Sequence, residues 1–482
     1  MMDLVSSDAT ALLAGLRARA FSAKELFEAE LARVDALNPS LNALIEIDTG
    51  AGFRAAAASD ARLAANTARP LEGLPVSIKD CFDVAGFGNR AGASAFADHR
   101  PKEDAVAVAR LRAAGAVIFA KSNVPAFAGD FQTYNKLFGT TNAPFDLARS
   151  PGGSSGGAAT AIASGMSALE LGSDIGGSIR WPAHCCGIYG LKPTWDLVPT
   201  FGHVPPAPHL RLRQPTDMAV AGPLARSARD LTLALKCIAG PLNASGPAFL
   251  PPPRRTQPSE LRLALWSDDA FSPVEPPVRE GVIAAATALA KAGATVDDQA
   301  RPSLDFADLY EAYAILLHAI TASGLPEAVH QRLIAAGAGV GTDDRSHAAL
   351  QTRGARLNAG DYALVQSRRE QAKAAFATFF ERWDALLLPP APCQAIPHDH
   401  SPDMMRRTIP MNGVLRSYFD ITHWAAFATF CGLPACVAPL PHPANGRPTG
   451  VQIICAAGHD RQAIAIAAML ETLHPATRLK RP

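Results

Sequence analysis

An excess of charge of either sign is absent from this sequence. Its 482 residues carry 45 Lys+Arg against 44 Asp+Glu, a net of +1. A face that grips nucleic acid needs a basic excess, so nucleic acid is not an expected partner. The nearest basic cluster, MMRRT at 404–408, reads as solvated surface. Cysteine lacks metal-binding or redox spacing. There are eight, none in a CxxC pair, with Cys185 and Cys186 adjacent and Cys431 and Cys436 further on. Reduced, mostly buried thiols in a cytoplasmic protein are the expectation. No apolar run reaches about 18 residues, so no membrane-spanning helix is expected. The start, MMDLVSSDATALLAGL, has neither the basic nor the apolar segment of a secretory signal.

Two motifs are missing one part each. GAVIFAKS (Gly115–Ser122) comes close to a phosphate-cradling loop, but Ala120 stands where that loop needs glycine before Lys121. Val117, Ile118 and Phe119 also read as strand. His184-Cys185-Cys186 and His398-Asp399-His400 contain metal-ligand residue types, yet neither has the second half that a structural zinc site requires. Nucleotide, metal and other cofactors are therefore not expected.

What is present describes a large globular core, with 48% hydrophobic and 18% charged residues. Residues 22–37 have helical apolar spacing, and Ser22 with Glu25 makes a capping box. Similar amphipathic segments fall at 51–66, 104–114, 279–292 and 460–472. Between them lie short apolar runs at 75–80, 116–122, 168–174, 262–266, 385–390, 434–440 and 451–456. Strands alternating with helices predict an α/β protein whose sheet is covered on both faces. Length alone would suggest about three domains. The pattern continues unchanged past the Pro-rich 240–260 stretch, which favours one domain over 1–482. Residues 390–412, rich in Pro and His, read as an irregular cover.

The chemistry concentrates between Pro151 and Cys186, which holds two glycine-framed serines, Ser154 and Ser178, and no histidine before His184. Gly152–Gly156 fits G-x-S-x-G, the nucleophile elbow of α/β-hydrolases, with Ser154 as nucleophile. That motif needs a strand directly before it, whereas TNAPFDLARSP reads as loop. It also needs a downstream histidine, and nothing marks His423 or His459 for the role. The other reading uses both clusters. The strand ALELGSD delivers Ser178, and amides from Ile175, Gly176, Gly177 and Ser178 could form an oxyanion hole. A buried lysine with a depressed pKa could replace histidine as base. Lys79, near the end of the apolar strand PVSIKD, has a suitable setting.

These segments carry a family likeness. PGGSSGG, LGSDIGGSIRWPA and CGIYGLKPT, with GLPVSIKD upstream, closely resemble the amidase signature family. KSNVPAFA, NKLFGTTNAPFD and the C-terminal GLPACVAPLPHPANGRPTGVQIICAAG extend the resemblance over nearly the whole chain. It implies a single α/β domain with a mixed, twisted central sheet flanked by helices. The signature core would span about 70–240, and a variable substrate cover about 300–425. It implies a Ser–cis-Ser–Lys set, with Ser178 as nucleophile, Ser154 after a cis peptide as bridge, and Lys79 as base. Asp174 and Arg180 would hold the loop. Ser173 stands where threonine is common and keeps the hydroxyl, and Trp181 is bulkier than many residues at its position.

The implied partner is a small amide or carbamate, with no cofactor and a monomer or homodimer. Phe127, Phe131 and Trp181 are candidate pocket walls, although each could equally be core. The 201–215 and 400–424 stretches could close the site. A glutaminase component of a transfer-RNA amidotransferase complex shares the signature, and a non-catalytic binding protein could use the same scaffold.

Overall fold

A computed structural model describes residues 4–205, 214–243, 250–323, 327–336, 341 and 344–476. Residues 206–213 of the stretch expected to close the site, and 244–249 of the Pro-rich connection, lie outside the described residues. The sheet strands in chain order are β1 (Leu44–Ile47), β2 (Pro75–Lys79), β3 (Val117–Ser122), β4 (Leu169–Asp174), β5 (Tyr189–Lys192), β6 (Val220–Ala225), β7 (Arg262–Leu265), β8 (Thr295–Asp297), β9 (Ala385–Leu388), β10 (Ala435–Pro439) and β11 (Gly450–Ile454). They form one 11-stranded sheet in the order β1-β3-β2-β4-β6-β5-β10-β11-β9-β7-β8. β3, β2 and β4 run parallel to one another, as do β9, β7 and β8. The strands between these groups pair antiparallel. The sheet is therefore mixed.

The helices are α1 (Ala9–Arg17), α2 (Ala23–Leu41), α3 (Thr49–Ala64), α4 (Val106–Ala113), α5 (Gly156–Ser164), α6 (Arg180–Cys186), α7 (Ala228–Ile238), α8 (Pro276–Lys291), α9 (Phe306–Ser323), α10 (Glu327–Ala336), α11 (His347–Ala355), α12 (Ala359–Arg382), α13 (His423–Phe430) and α14 (Asp460–Leu473). They cover both faces because strand side chains alternate. In β9, Ala385 and Leu387 join the core under α7, α8 and α14, while Leu386 and Leu388 join the core under α9, α12 and α13. A strand buried on both sides reads as a continuous apolar run, as ALLL does. The Ser22–Glu25 box forms as expected and starts α2.

Parts of the chain differ from expectation, the short edge strands β1 and β8 among them. The 390–412 segment is not wholly irregular: a hairpin pairs Thr408–Met411 with Val414–Ser417. Asn412 and Gly413, both at positive φ, make its turn, and Asn-Gly is a strong two-residue hairpin signal. β5 and β6 form where no apolar run marks a strand. Gly190, Gly222 and Pro223 punctuate them, and Pro is rare inside a central strand. Here Gly222 is required by contact, since a Cβ on it would lie 2.2 Å from the Leu191 carbonyl oxygen.

Candidate active site

β2 and β4 are parallel neighbours, with Ile78 opposite Leu171, so their C-terminal ends lie on the same edge of the sheet. β2 ends at Lys79 and β4 at Asp174, and the chain then turns through Ile175–Ile179 into α6. A second loop, leading into α5, lies alongside: the Ser155 amide donates to the Ser178 carbonyl at 3.2 Å. This loop packs tightly on residues 130–132. A Cβ on Gly153 would sit 2.6 Å from the Asp130 carbonyl oxygen and 2.7 Å from the Gln132 nitrogen. The Gly153–Ser154 peptide is cis. Residues 147–151 before Gly152 are loop and no strand leads into it, so the strand that an elbow nucleophile needs is missing.

Lys79 Nζ lies 2.7 Å from Ser154 Oγ, 3.0 Å from Ser173 Oγ and 3.4 Å from the Ser173 carbonyl oxygen. No carboxylate contacts it among the described residues. Burial therefore pulls its pKa below the ordinary 10.5, against the pull of Cys81, Asp174 and Glu170. Glu170 is itself pushed up to about 8 by burial, opposed by hydrogen bonds from Ser77 and Ser122. Exposure rises outward along the series: Lys79 0%, Ser154 1%, Ser178 7%. Of the two serines, Ser178 is the more exposed.

The loop bearing Ser178 is held by Asp174. Its carboxylate accepts from the amides of Gly177 (2.9 Å) and Ile179 (3.0 Å), and from Arg180 Nη2 (2.8 Å) and Nε (3.0 Å). Burial alone would raise the Asp174 pKa, but the Arg180 charge and these hydrogen bonds outweigh it and hold it at about 2. Arg180 reaches on to the Ala425 carbonyl, Thr429 and Gln452. Gly177 takes φ +97 to make the turn, a conformation that favours glycine. Its amide is thereby committed inward. Among the described residues, the amides of Ile175, Gly176 and Ser178 have no internal acceptor.

The three expected wall residues part company. Phe131 stays at the loop, its Cε1 3.6 Å from a Cβ built on Gly176. Trp181 is 1% exposed and offers a substrate almost no surface; its Nε1 donates to the Phe131 carbonyl at 2.9 Å, so it fixes Phe131 from beneath. Phe127 is 43% exposed and packs edge-on against Phe96. Tyr313, Thr422 and Ala425 come to the loop without a sequence signal: Tyr313 Oη donates to the Ile175 carbonyl at 3.2 Å, and Thr422 Cγ2 and Ala425 Cβ lie 3.9 and 3.3 Å from Cβ positions on Gly176 and Gly177. The cover is tied down by Arg407 and Tyr418, both bonded to Asp130.

The histidine clusters have packing partners. His184 accepts from the Gly450 amide at Nδ1 and faces the Cys393 carbonyl at Nε2. His400 stacks on Tyr134. His347, Asp420 and His423 bring three metal-ligand types within 4.8 Å. Arg416 already occupies one Asp420 oxygen at 2.6 Å, and neither His347 Nδ1 nor His423 Nδ1 has the outer acceptor that orients a metal-bound imidazole. The eight cysteines are free thiols. No helix is long and apolar enough to cross a membrane among the described residues.

A family model described as Amidase matches residues 25–464. The chain belongs to the amidase family. Its curated relatives include a glutamyl-tRNA(Gln) amidotransferase subunit from Roseiflexus castenholzii, 32% identical over 90% of this chain and 89% of that protein. The corresponding protein of Salinispora arenicola is 33% identical over 98% of both chains. Among solved structures, 6-aminohexanoate cyclic dimer hydrolase in complex with its substrate is 26% identical with a TM-score of 0.79, covering 100% of this chain and 99% of that one. A bacterial aryl acylamidase, 22% identical with a TM-score of 0.79 over 98% of this chain and 96% of that one, shares the fold.

Proposed function

We propose that this family member, an amide C–N hydrolase, works through Ser178, Ser154 and Lys79 on neutral or aromatic amides and anilides, with esters and carbamates as further substrates. The observation that carries the reading is the 2.7 Å contact between a fully buried, carboxylate-free Lys79 and Ser154. Burial favours the neutral form of the amine, and a neutral amine can accept a proton. Lys79 takes the proton of Ser154 as Ser154 takes that of Ser178. Ser178 Oγ attacks the carbonyl carbon, and the oxyanion rests on amides drawn from Ile175, Gly176 and Ser178. The proton returns through Ser154 to the leaving nitrogen, which departs as amine. Water then releases the acid from the acyl-enzyme by the same relay.

The side chains nearest the loop glycines are neutral: Phe131, Tyr313, Thr422 and Ala425. That supports an uncharged acyl group. A glutaminase role within an amidotransferase complex rests on the likeness to the glutamyl-tRNA(Gln) amidotransferase proteins. Glutamine would bring an ammonium and a carboxylate to a wall without a charged side chain among these four residues.

The test is a panel of anilides, primary amides, esters, carbamates and glutamine, run with fluorophosphonate labelling. Wild type should turn over aryl amides and label at Ser178, and Ser178→Ala should do neither. Labelling that persists in Ser178→Ala and vanishes in Ser154→Ala would transfer the nucleophile to Ser154. Turnover of glutamine alone would favour the amidotransferase reading.

A further inference from the structure

We infer that His203 is a positioning residue for the relay: through Ser173 it sets the direction of the hydrogen bonds around Lys79, so that the amine's lone pair faces Ser154. This rests on the reading of Lys79 as base.

A neutral amine offers two N–H groups and one lone pair. Lys79 Nζ has three oxygens around it: Ser154 Oγ, Ser173 Oγ and the Ser173 carbonyl. The carbonyl only accepts, so it takes one N–H. Of the two hydroxyls, one must accept the other N–H, and the other must donate to the lone pair. Nothing at Lys79 itself decides which. If Ser173 donated, Ser154 would have to accept from the lysine, and the lysine could not take its proton.

The decision is made one residue further out. His203 Nδ1 lies 2.9 Å from the Pro205 carbonyl oxygen. A carbonyl cannot donate, so Nδ1 carries the hydrogen. In the neutral ring Nε2 is then an acceptor, and it lies 2.9 Å from Ser173 Oγ. Ser173 gives its single proton to His203 and can only accept from Lys79. The lone pair is left to Ser154.

The ring is fixed in register with the strand that carries Lys79. His203 bridges to Phe82, the Val204 amide donates to the Cys81 carbonyl at 2.7 Å, and the imidazole packs edge-on against the Phe82 ring at 4.9 Å. Besides Lys79, Cys81 borders this pair, in contact with both Ser173 and His203. Its sulfur lies 3.6 Å from Ser173 Oγ and is a weak acceptor.

The test uses the full-length protein and an anilide substrate. His203→Phe keeps a ring against Phe82 and removes the acceptor, whereas His203→Gln offers a carbonyl acceptor again. Expected for Phe is a kcat lower by about 10- to 100-fold with KM changed less than about twofold, and for Gln a recovery of most of that loss. In a Ser173→Ala background, His203→Phe should cost nothing further, because His203 acts through Ser173. The last comparison stands even if the single Phe variant folds poorly, since thermal unfolding is followed for each protein. Wild-type kcat in His203→Phe, a loss confined to KM, or a full additional loss in the Ser173→Ala background would overturn the inference. Lys79→Ala and Ser178→Ala run alongside. Activity in either would sink the relay reading itself, whereas two dead variants beside an unimpaired His203→Phe would sink only this inference.

Discussion

Lys79 and Lys121 lie on neighbouring parallel strands, with Ile78 opposite Lys121 and Lys79 opposite Ser122. Both are fully enclosed. Lys121 donates to the Phe82 carbonyl at 2.6 Å and has the Asp80 carboxyl 3.5 Å away. Lys79 meets hydroxyls and one carbonyl. Burial is therefore common to both. What differs is the partner: Lys121 has a carboxyl 3.5 Å away, whereas no carboxylate contacts Lys79 among the described residues. The sequence motif around Lys121 imitates a phosphate loop, yet its side chain is a structural tie between β3 and the turn after β2.

Substitution should separate the two lysines. Lys79→Ala should lower kcat by roughly 10³- to 10⁴-fold, with the thermal midpoint held or raised, because a buried amine with no carboxylate in contact is removed. Lys121→Met should instead destabilise by about 3–5 kcal/mol, since it leaves Asp80 buried without its partner. Denaturant titration and steady-state kinetics on both variants read the contrast. Equal kinetic losses with equal stabilities would erase it. Asp174→Asn belongs with Lys121→Met: it strips Arg180 of its buried counter-ion and should cost a similar amount of stability, together with kcat through the Ser178 loop.

A third buried lysine sharpens the comparison through pH. Lys192 donates to the Pro193 and Leu433 carbonyls, and burial, helped by Arg180, brings it to about 7 from 10.5. Between those values the unfolded chain binds a proton that the folded chain refuses. Stability should therefore rise with pH through that window, and Lys192→Met should flatten the rise in melts taken from about pH 7 to 10. Lys79 is lowered in the same direction, and there the sign appears in activity: kcat/KM should fall as pH drops through its folded pKa. A rate that stays level down to about pH 5 would contradict a lysine base. The smallest effect is expected at the wall. Phe131→Ala should raise KM for aryl amides a few-fold and leave kcat within about threefold; a change in kcat alone would place Phe131 in the chemistry.

How much of this was visible in the residues depended on range. β2 and β4 could be read because each is a short apolar run, and their parallel pairing sets Lys79, Ser173 and Asp174 at one edge. The two glycine loops could be read because glycine marks close approach, as Gly153 shows against Asp130 and Gln132. Contacts between distant parts of the chain left no such mark. Tyr313 on α9 is an ordinary buried aromatic until the fold brings its hydroxyl to Ile175. His203 falls in a stretch that reads as cover, and only the structure sets it against Ser173. Trp181 resembles a wall in sequence because aromatic size is visible there and orientation is not.

Arg180 has one more consequence. It joins the Ser178 loop to Ala425, Thr429 and Gln452, which follow it by 245, 249 and 272 positions. A ribosome building this chain releases Lys79, Ser154 and Ser178 long before the groups that hold Arg180 and, through it, the Ser178 loop. The nascent protein should stay chemically silent until Gln452 has emerged, so the first turnover marks the completion of folding.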